Sequence, residues 1–63
     1  MQFNPGDMVQ YSYWEDDGVE NWFVVLYGLV FRGGQHNALV LLNGRTEAGW
    51  ISDEYLEVIH ESR

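Results

Sequence analysis

Trp22-Phe23-Val24-Val25-Leu26-Tyr27-Gly28-Leu29-Val30-Phe31 is the stretch whose reading decides the fold. Successive side chains of a strand point to opposite faces, so a half-buried strand alternates apolar and polar residues. Here both faces are apolar: Val24, Leu26 and Val30 on one, Phe23, Val25, Tyr27, Leu29 and Phe31 on the other. The run is shorter than the roughly 20 apolar residues of a membrane-spanning helix, and its β-branched and aromatic content favours a strand. A chain of 63 residues has a single core and covers one face of that strand by itself. The other face needs barrel closure, a partner or a second copy of the chain, and the stretch alone does not say which face turns inward.

Small domains of this length usually lean on disulfides, a metal or assembly for stability. The chain has no cysteine, which removes disulfides and thiolate metal sites and leaves the redox compartment open. Aromatic packing remains, with three Trp, four Tyr and three Phe. Ten acidic residues against three arginines and no lysine give a net charge of −7. Such a chain has too few cations to neutralise phosphates, so nucleic acid and anionic membrane are not expected partners. A basic protein surface is. Met1-Gln2-Phe3-Asn4-Pro5 has neither the basic nor the apolar region of a signal peptide, so the protein is expected to stay in the compartment where it is made.

Outward from the central stretch, the chain reads as short strands joined by turns. Asn4-Pro5-Gly6-Asp7 has the type II turn signature. Met8 to Trp14 alternates as a first strand, with Val9, Tyr11 and Tyr13 on one face. Glu15 to Asn21 forms an acidic loop with Gly18 free to take a positive φ. Its acids lack the alternating spacing of a calcium loop, so no metal is expected. The central strand extends to Arg32, with Gly28 read as a bend. Gly33-Gly34-Gln35-His36-Asn37 turns it into a second apolar strand, Ala38 to Leu42. Asn43-Gly44 reads as a type I′ turn, and Gly49-Trp50-Ile51 as a fourth strand. Ser52-Asp53-Glu54-Tyr55 reads as one 3₁₀ turn capped by Ser52. Leu56 to Ile59 closes as the fifth strand, followed by a frayed tail from His60 to Arg63.

Five short strands, an acidic first loop and a helical turn before the last strand resemble an SH3-like barrel. Tyr11-x-Tyr13 before the acidic loop, and Gly49-Trp50-Ile51-Ser52-Asp53-Glu54-Tyr55 after the Asn-Gly turn, carry that resemblance. Ser52 stands where SH3 domains carry their ligand-contacting proline, Glu54 replaces the usual Asn, and the tryptophan pair is absent. Pro5-Gly6-Asp7-Met8-Val9, Gly28-Leu29-Val30 and Leu56-Glu57-Val58-Ile59 are similar to motifs of small SH3-like proteins of tailed bacteriophages. The resemblance implies a docking or assembly role, in host cytoplasm or virion.

No residue set suggests catalysis or a cofactor. Ser12, Ser52 and Ser62 read as strand, cap and tail residues, and His36 and His60 lack neighbours at triad or metal-ligand spacing. Gly33-Gly34 lacks the lysine and helix of a phosphate loop. The aromatic set Tyr11, Tyr13, Trp14, Trp22, Trp50 and Tyr55 lies near loops and strand ends, and aromatics dominate interface hot spots. The expected partner-facing residues are Trp14, Asp16, Asp17, Trp22, Phe23, Val25, Tyr27 and Trp50. The expected function is a non-enzymatic protein–protein module, with a virion or host protein or a second copy as partner. The rival is an acidic inhibitor that mimics nucleic acid on a basic host surface.

Overall fold

The computed structural model describes residues 2–59. Its five strands are β1 (Met8–Asp16), β2 (Asn21–Gly33), β3 (Asn37–Leu42), β4 (Gly49–Ser52) and β5 (Leu56–Val58), with a 3₁₀ turn at Asp53–Tyr55 before β5. All ladders are antiparallel, and the strands form one sheet in the order β4-β3-β2-β1-β5. The all-β, five-stranded reading with one 3₁₀ turn therefore holds. The sheet is open, because its outer strands β4 and β5 share no ladder. The expected tail from His60 to Arg63 lies outside the described residues.

Neighbouring strands decide which face of β2 turns inward. Val9 of β1 opposes Gly28, and Val40 of β3 opposes Val30. Val9, Val30 and Val40 are the largest fully buried side chains, and burial of each contributes roughly 1.5–3 kcal/mol. Phe3, Ala38, Leu42 and Leu56 complete the buried cluster, with Tyr11, Leu26, Ile51 and Val58 packed against it. The inward face of β2 is thus the one bearing Val24, Leu26 and Val30.

Turn chemistry places the N-terminal segment over this core. Gly6 has φ of 92°, and the Asp7 N–H donates to the Asn4 carbonyl at 3.0 Å, as a type II turn requires. The Asp7 carboxylate accepts from the Asn4 N–H at 3.0 Å. Phe3 is thereby delivered against Gly33, where a Cβ would run into the Phe3 carbonyl oxygen.

Two local expectations are corrected, and Gly28 takes a further role. It lies in the ladders to both β1 and β3, with the register shift of β2 falling between Val30 and Arg32. Gly28 supplies room: a Cβ there would lie 2.7 Å from Val40 Cγ1 and 2.8 Å from the Leu41 carbonyl oxygen. The Asn43-Gly44 turn is not type I′. Gly44 has φ of 86° while no non-glycine residue has a positive φ, and the Arg45 N–H donates to the Leu42 carbonyl at 3.0 Å. A positive φ at the third position alone is the type II pattern. The turn opens a longer loop that resumes pairing at Gly49, so the twist of a two-residue hairpin does not apply. Ser52 makes no side-chain cap, because it is still strand residue, opposite Asn37. The Asp53 N–H donates to the His36 carbonyl at 2.9 Å instead.

Replacing Gly28 by Ala should lower unfolding stability by about 1–3 kcal/mol, the usual cost of overpacking. Gly49→Ala, where a Cβ meets nothing within 4 Å, should stay within about 0.5 kcal/mol. Urea denaturation of both variants measures the contrast.

Candidate functional site

The outward face of the sheet begins at β2, where Phe23, Val25, Tyr27, Leu29 and Phe31 are all exposed. Register extends it across the neighbouring strands. Trp14 opposes Phe23, Ser12 opposes Val25, Gln10 opposes Tyr27 and Met8 opposes Leu29. On the other side Leu41 opposes Leu29, and Leu39 opposes Trp50. Glu57, opposite Gln10, and Arg32, opposite Leu39, put charge at its two margins. Trp14 is 67% exposed, Phe23 52% and Trp50 51%. The Trp14 and Phe23 rings meet with centroids 5.2 Å apart and a tilt of 55°, a cross-strand pair of the kind worth about 0.2–1 kcal/mol.

Of the expected partner-facing residues, Trp14, Phe23, Val25, Tyr27 and Trp50 come together on this face. Trp22 does not. It opposes Glu15, so alternation turns it to the side opposite Trp14, and the two tryptophans cannot serve one flat surface. Met8, Leu29 and Leu41 join the face and were absent from the expected set. Leu29 was readable from its even spacing to Phe23, Val25 and Tyr27, whereas Met8 and Leu41 reach it only through pairing register.

Asp16 and Asp17 shape the loop between β1 and β2. One oxygen of Asp16 accepts from the Gly18 N–H at 2.7 Å, and one oxygen of Asp17 accepts from the Val19 and Glu20 N–H groups at 2.9 Å each. Gly18 takes φ of 89°, and the Asp17 N–H donates to the Glu20 carbonyl at 3.2 Å. The two backbone donors from Glu20 and Val19 hold the Asp17 carboxyl below the usual carboxylate range, because hydrogen bonds to the ionised form favour it.

The inward side carries a tyrosine cluster at the mouth of the core. Tyr11 stacks on Tyr13 at 5.0 Å and meets Tyr55 edge-on at 6.3 Å. Tyr13, Arg45, Glu47 and Ile51 border a cavity of ≈ 230 Å³ beside them. Burial and the neighbouring Glu15 raise the Tyr13 hydroxyl, and the charge of Glu54 raises that of Tyr55. The exposed His36 ring lies 3.9 Å from Asp53. Among the described residues no three His, Cys, Asp or Glu side chains are grouped to hold a metal, and no helix is long and apolar enough to cross a membrane.

Since the folded-state pKa of Asp17 is depressed, its hydrogen bonds stabilise the loop above the unfolded pKa, near 3.9. That contribution is lost as pH falls through the lower folded value. Asp17→Ala should therefore melt below the wild type at neutral pH, with the gap closing under acid conditions. Thermal melts over a pH series follow the convergence.

Comparison with known proteins finds no family model, curated protein or solved structure that matches the chain.

Proposed function

We propose that this chain is a non-enzymatic protein–protein interaction module of SH3-like build, docking through the outward face of β1, β2 and β3. The observation that carries the reading is the row of exposed apolar side chains Phe23, Val25, Tyr27 and Leu29 on β2, flanked by Trp14 and Met8 of β1 with Ser12 and Gln10 between them. Its three aromatic side chains, Trp14, Phe23 and Tyr27, of about 150–250 Å² each and near half exposed, already leave on the order of 300 Å² uncovered. Met8, Val25 and Leu29 add to it. Monomeric soluble proteins seldom leave larger contiguous apolar patches open, and those that do use them as contact sites.

The sheet order and the 3₁₀ turn before β5 support the SH3-like reading, with barrel closure as its finer form. The similarity of the Pro5-Gly6-Asp7-Met8-Val9 and Leu56-Glu57-Val58-Ile59 motifs to tailed-phage proteins makes a virion protein the first partner to try, in virion or host cytoplasm. The rival reading, an acidic inhibitor of a basic host surface, draws on the carboxylates Glu15, Asp16, Asp17 and Glu20 at the hairpin tip.

Tyr27→Asp places a charge in the middle of the apolar face. A docking partner retained by immobilised wild-type chain at high salt should be lost from this variant by about 30-fold in affinity, the loss typical of a hot spot. Far-UV circular dichroism checks that the variant folds. A partner indifferent to Tyr27→Asp but released by salt would overturn the apolar reading in favour of the acidic one.

A further inference from the structure

We propose that Asn43 is a self-modifying site, at which the backbone nitrogen of Gly44 displaces the side-chain amide and leaves a carboxylate on the Leu42-to-Arg45 turn. An asparagine or aspartate followed by glycine occurs twice, at Asn43-Gly44 and Asp17-Gly18, and a glycine with no Cβ leaves the attacking nitrogen least hindered. The two turns treat that pair oppositely. The Gly18 N–H donates to an Asp16 carboxylate oxygen at 2.7 Å, and one Asp17 oxygen accepts from the Val19 and Glu20 N–H groups. Attacking and attacked groups are both tied down there, and those bonds favour the ionised Asp17 carboxylate, a poor target for a nucleophile. At the second turn only the flanking groups are bonded. The Asn43 N–H donates to the Tyr27 carbonyl at 2.7 Å and the Arg45 N–H to the Leu42 carbonyl at 3.0 Å. Among the described residues the central peptide, from the Asn43 carbonyl to the Gly44 N–H, makes no hydrogen bond. Both residues are exposed, and a Cβ at Gly44 would meet nothing within 4 Å.

The free central peptide is what the reaction needs. In a type II turn the Gly44 nitrogen points away from the Asn43 side chain, and rotating the central peptide toward the type I arrangement swings it nearer. Glycine tolerates either sign of φ, and the outer bond from Arg45 to Leu42 is common to both turn types. The Gly44 nitrogen, giving its proton to hydroxide, bonds to Asn43 Cγ. The Cγ–Nδ2 bond breaks, ammonia leaves with a proton from water, and a cyclic imide remains. Water then opens the imide at either carbonyl, giving aspartate or an isoaspartyl linkage. The product carries one more negative charge than the −7 of the chain as made. The turn borders a cavity of ≈ 300 Å³ whose walls include Met8, Tyr27, Leu29 and Leu41, so the charge arrives at the rim of the outward face. The other asparagines lack these freedoms. Asn4 precedes Pro5, which has no N–H. Asn21 precedes Trp22, held in the ladder opposite Glu15, and Asn37 precedes the buried Ala38, paired with Gly33 and Ile51.

The test incubates the intact folded chain over a pH series from neutral to mildly alkaline, reading peptide masses and released ammonia. Asn43 should become aspartate and isoaspartate before any other asparagine changes, and faster as pH rises, because the Gly44 proton must leave. Its rate should stay within about tenfold of that in urea-unfolded chain, since no part of the sheet has to open first. Isomerisation at Asp17 should be protected by folding at least about tenfold more than Asn43 is, because reaction there waits for the hairpin tip to open. Asn43→Gln keeps an amide at the turn but requires a larger, slower-closing ring, and should release no ammonia over the same period. An Asn43 amide that survives in the folded chain while it is lost in urea overturns the proposal. So does Asn37 converting as fast as Asn43, or folding that protects Asp17 no better than Asn43. These readouts need no partner, so their failure is separable from failure of the docking reading, which Tyr27→Asp decides.

Discussion

One core must serve a strand that is apolar on both sides. The buried cluster from Phe3 to Leu56 lies on the inward side of the sheet, and among the described residues no second layer covers the outward one. Chains of this size bury only about 60% of the surface their unfolded state exposes. The apolar residues in excess of what one core accepts must then face water or a partner. The other features of the molecule are arranged around that asymmetry. The type II turn at Asn4–Asp7 brings Phe3 to the inward side, and the bare Cα of Gly28 lets β3 close on Val30 and Val9.

The β1–β2 hairpin is where the sheet runs beyond its core. Ser12–Asp16 and Asn21–Val25 pair with each other and with no further strand, so this ribbon is held by its ladder, the Trp14–Phe23 contact and the Asp16 and Asp17 hydrogen bonds at its tip. Two-stranded ribbons are marginal in water when isolated. The carboxylates therefore have two consequences at once: their backbone contacts define the loop, and their charge stands at the end of a ribbon rich in aromatic side chains. A charge count taken from composition does not separate these roles.

Much of the fold was legible because it rests on local chemistry. Pro5-Gly6-Asp7 and Gly18 announce positive-φ turns that form as read, and the β-branched run of β2 could be little else than a strand. The alternation of Val9, Tyr11 and Tyr13 likewise marks the inward face of β1. What was not legible depends on pairing. Either face of β2 was a fit candidate for the core until Val9 and Val40 were placed opposite it. Met8 and Leu41 became members of the site only through their register with Leu29. Trp14 and Trp22 both flank the acidic loop, yet the antiparallel offset puts them on opposite sides. Asn43 tolerates either sign of φ, so the residue type could not choose between turn types before the length of the following loop was known.

The ladder between β1 and β5 sets Val9 against Val58 and Tyr11 against Leu56, joining segments from nearly opposite ends of the chain. β2 and β3 are neighbours in sequence and need only short loops to meet. The β1–β5 ladder needs almost the whole polypeptide in place, and contacts of such long sequence separation carry a large loop-closure cost that slows folding. During synthesis the β2 segment emerges well before Leu56 and Val58 exist to complete the sheet. For that interval its two apolar faces and its bare edge are exposed together, in the kind of partly folded species most prone to aggregate. The acidic segment from Glu15 to Glu20, made just ahead of β2, places like charges beside this hazard while the core is still incomplete.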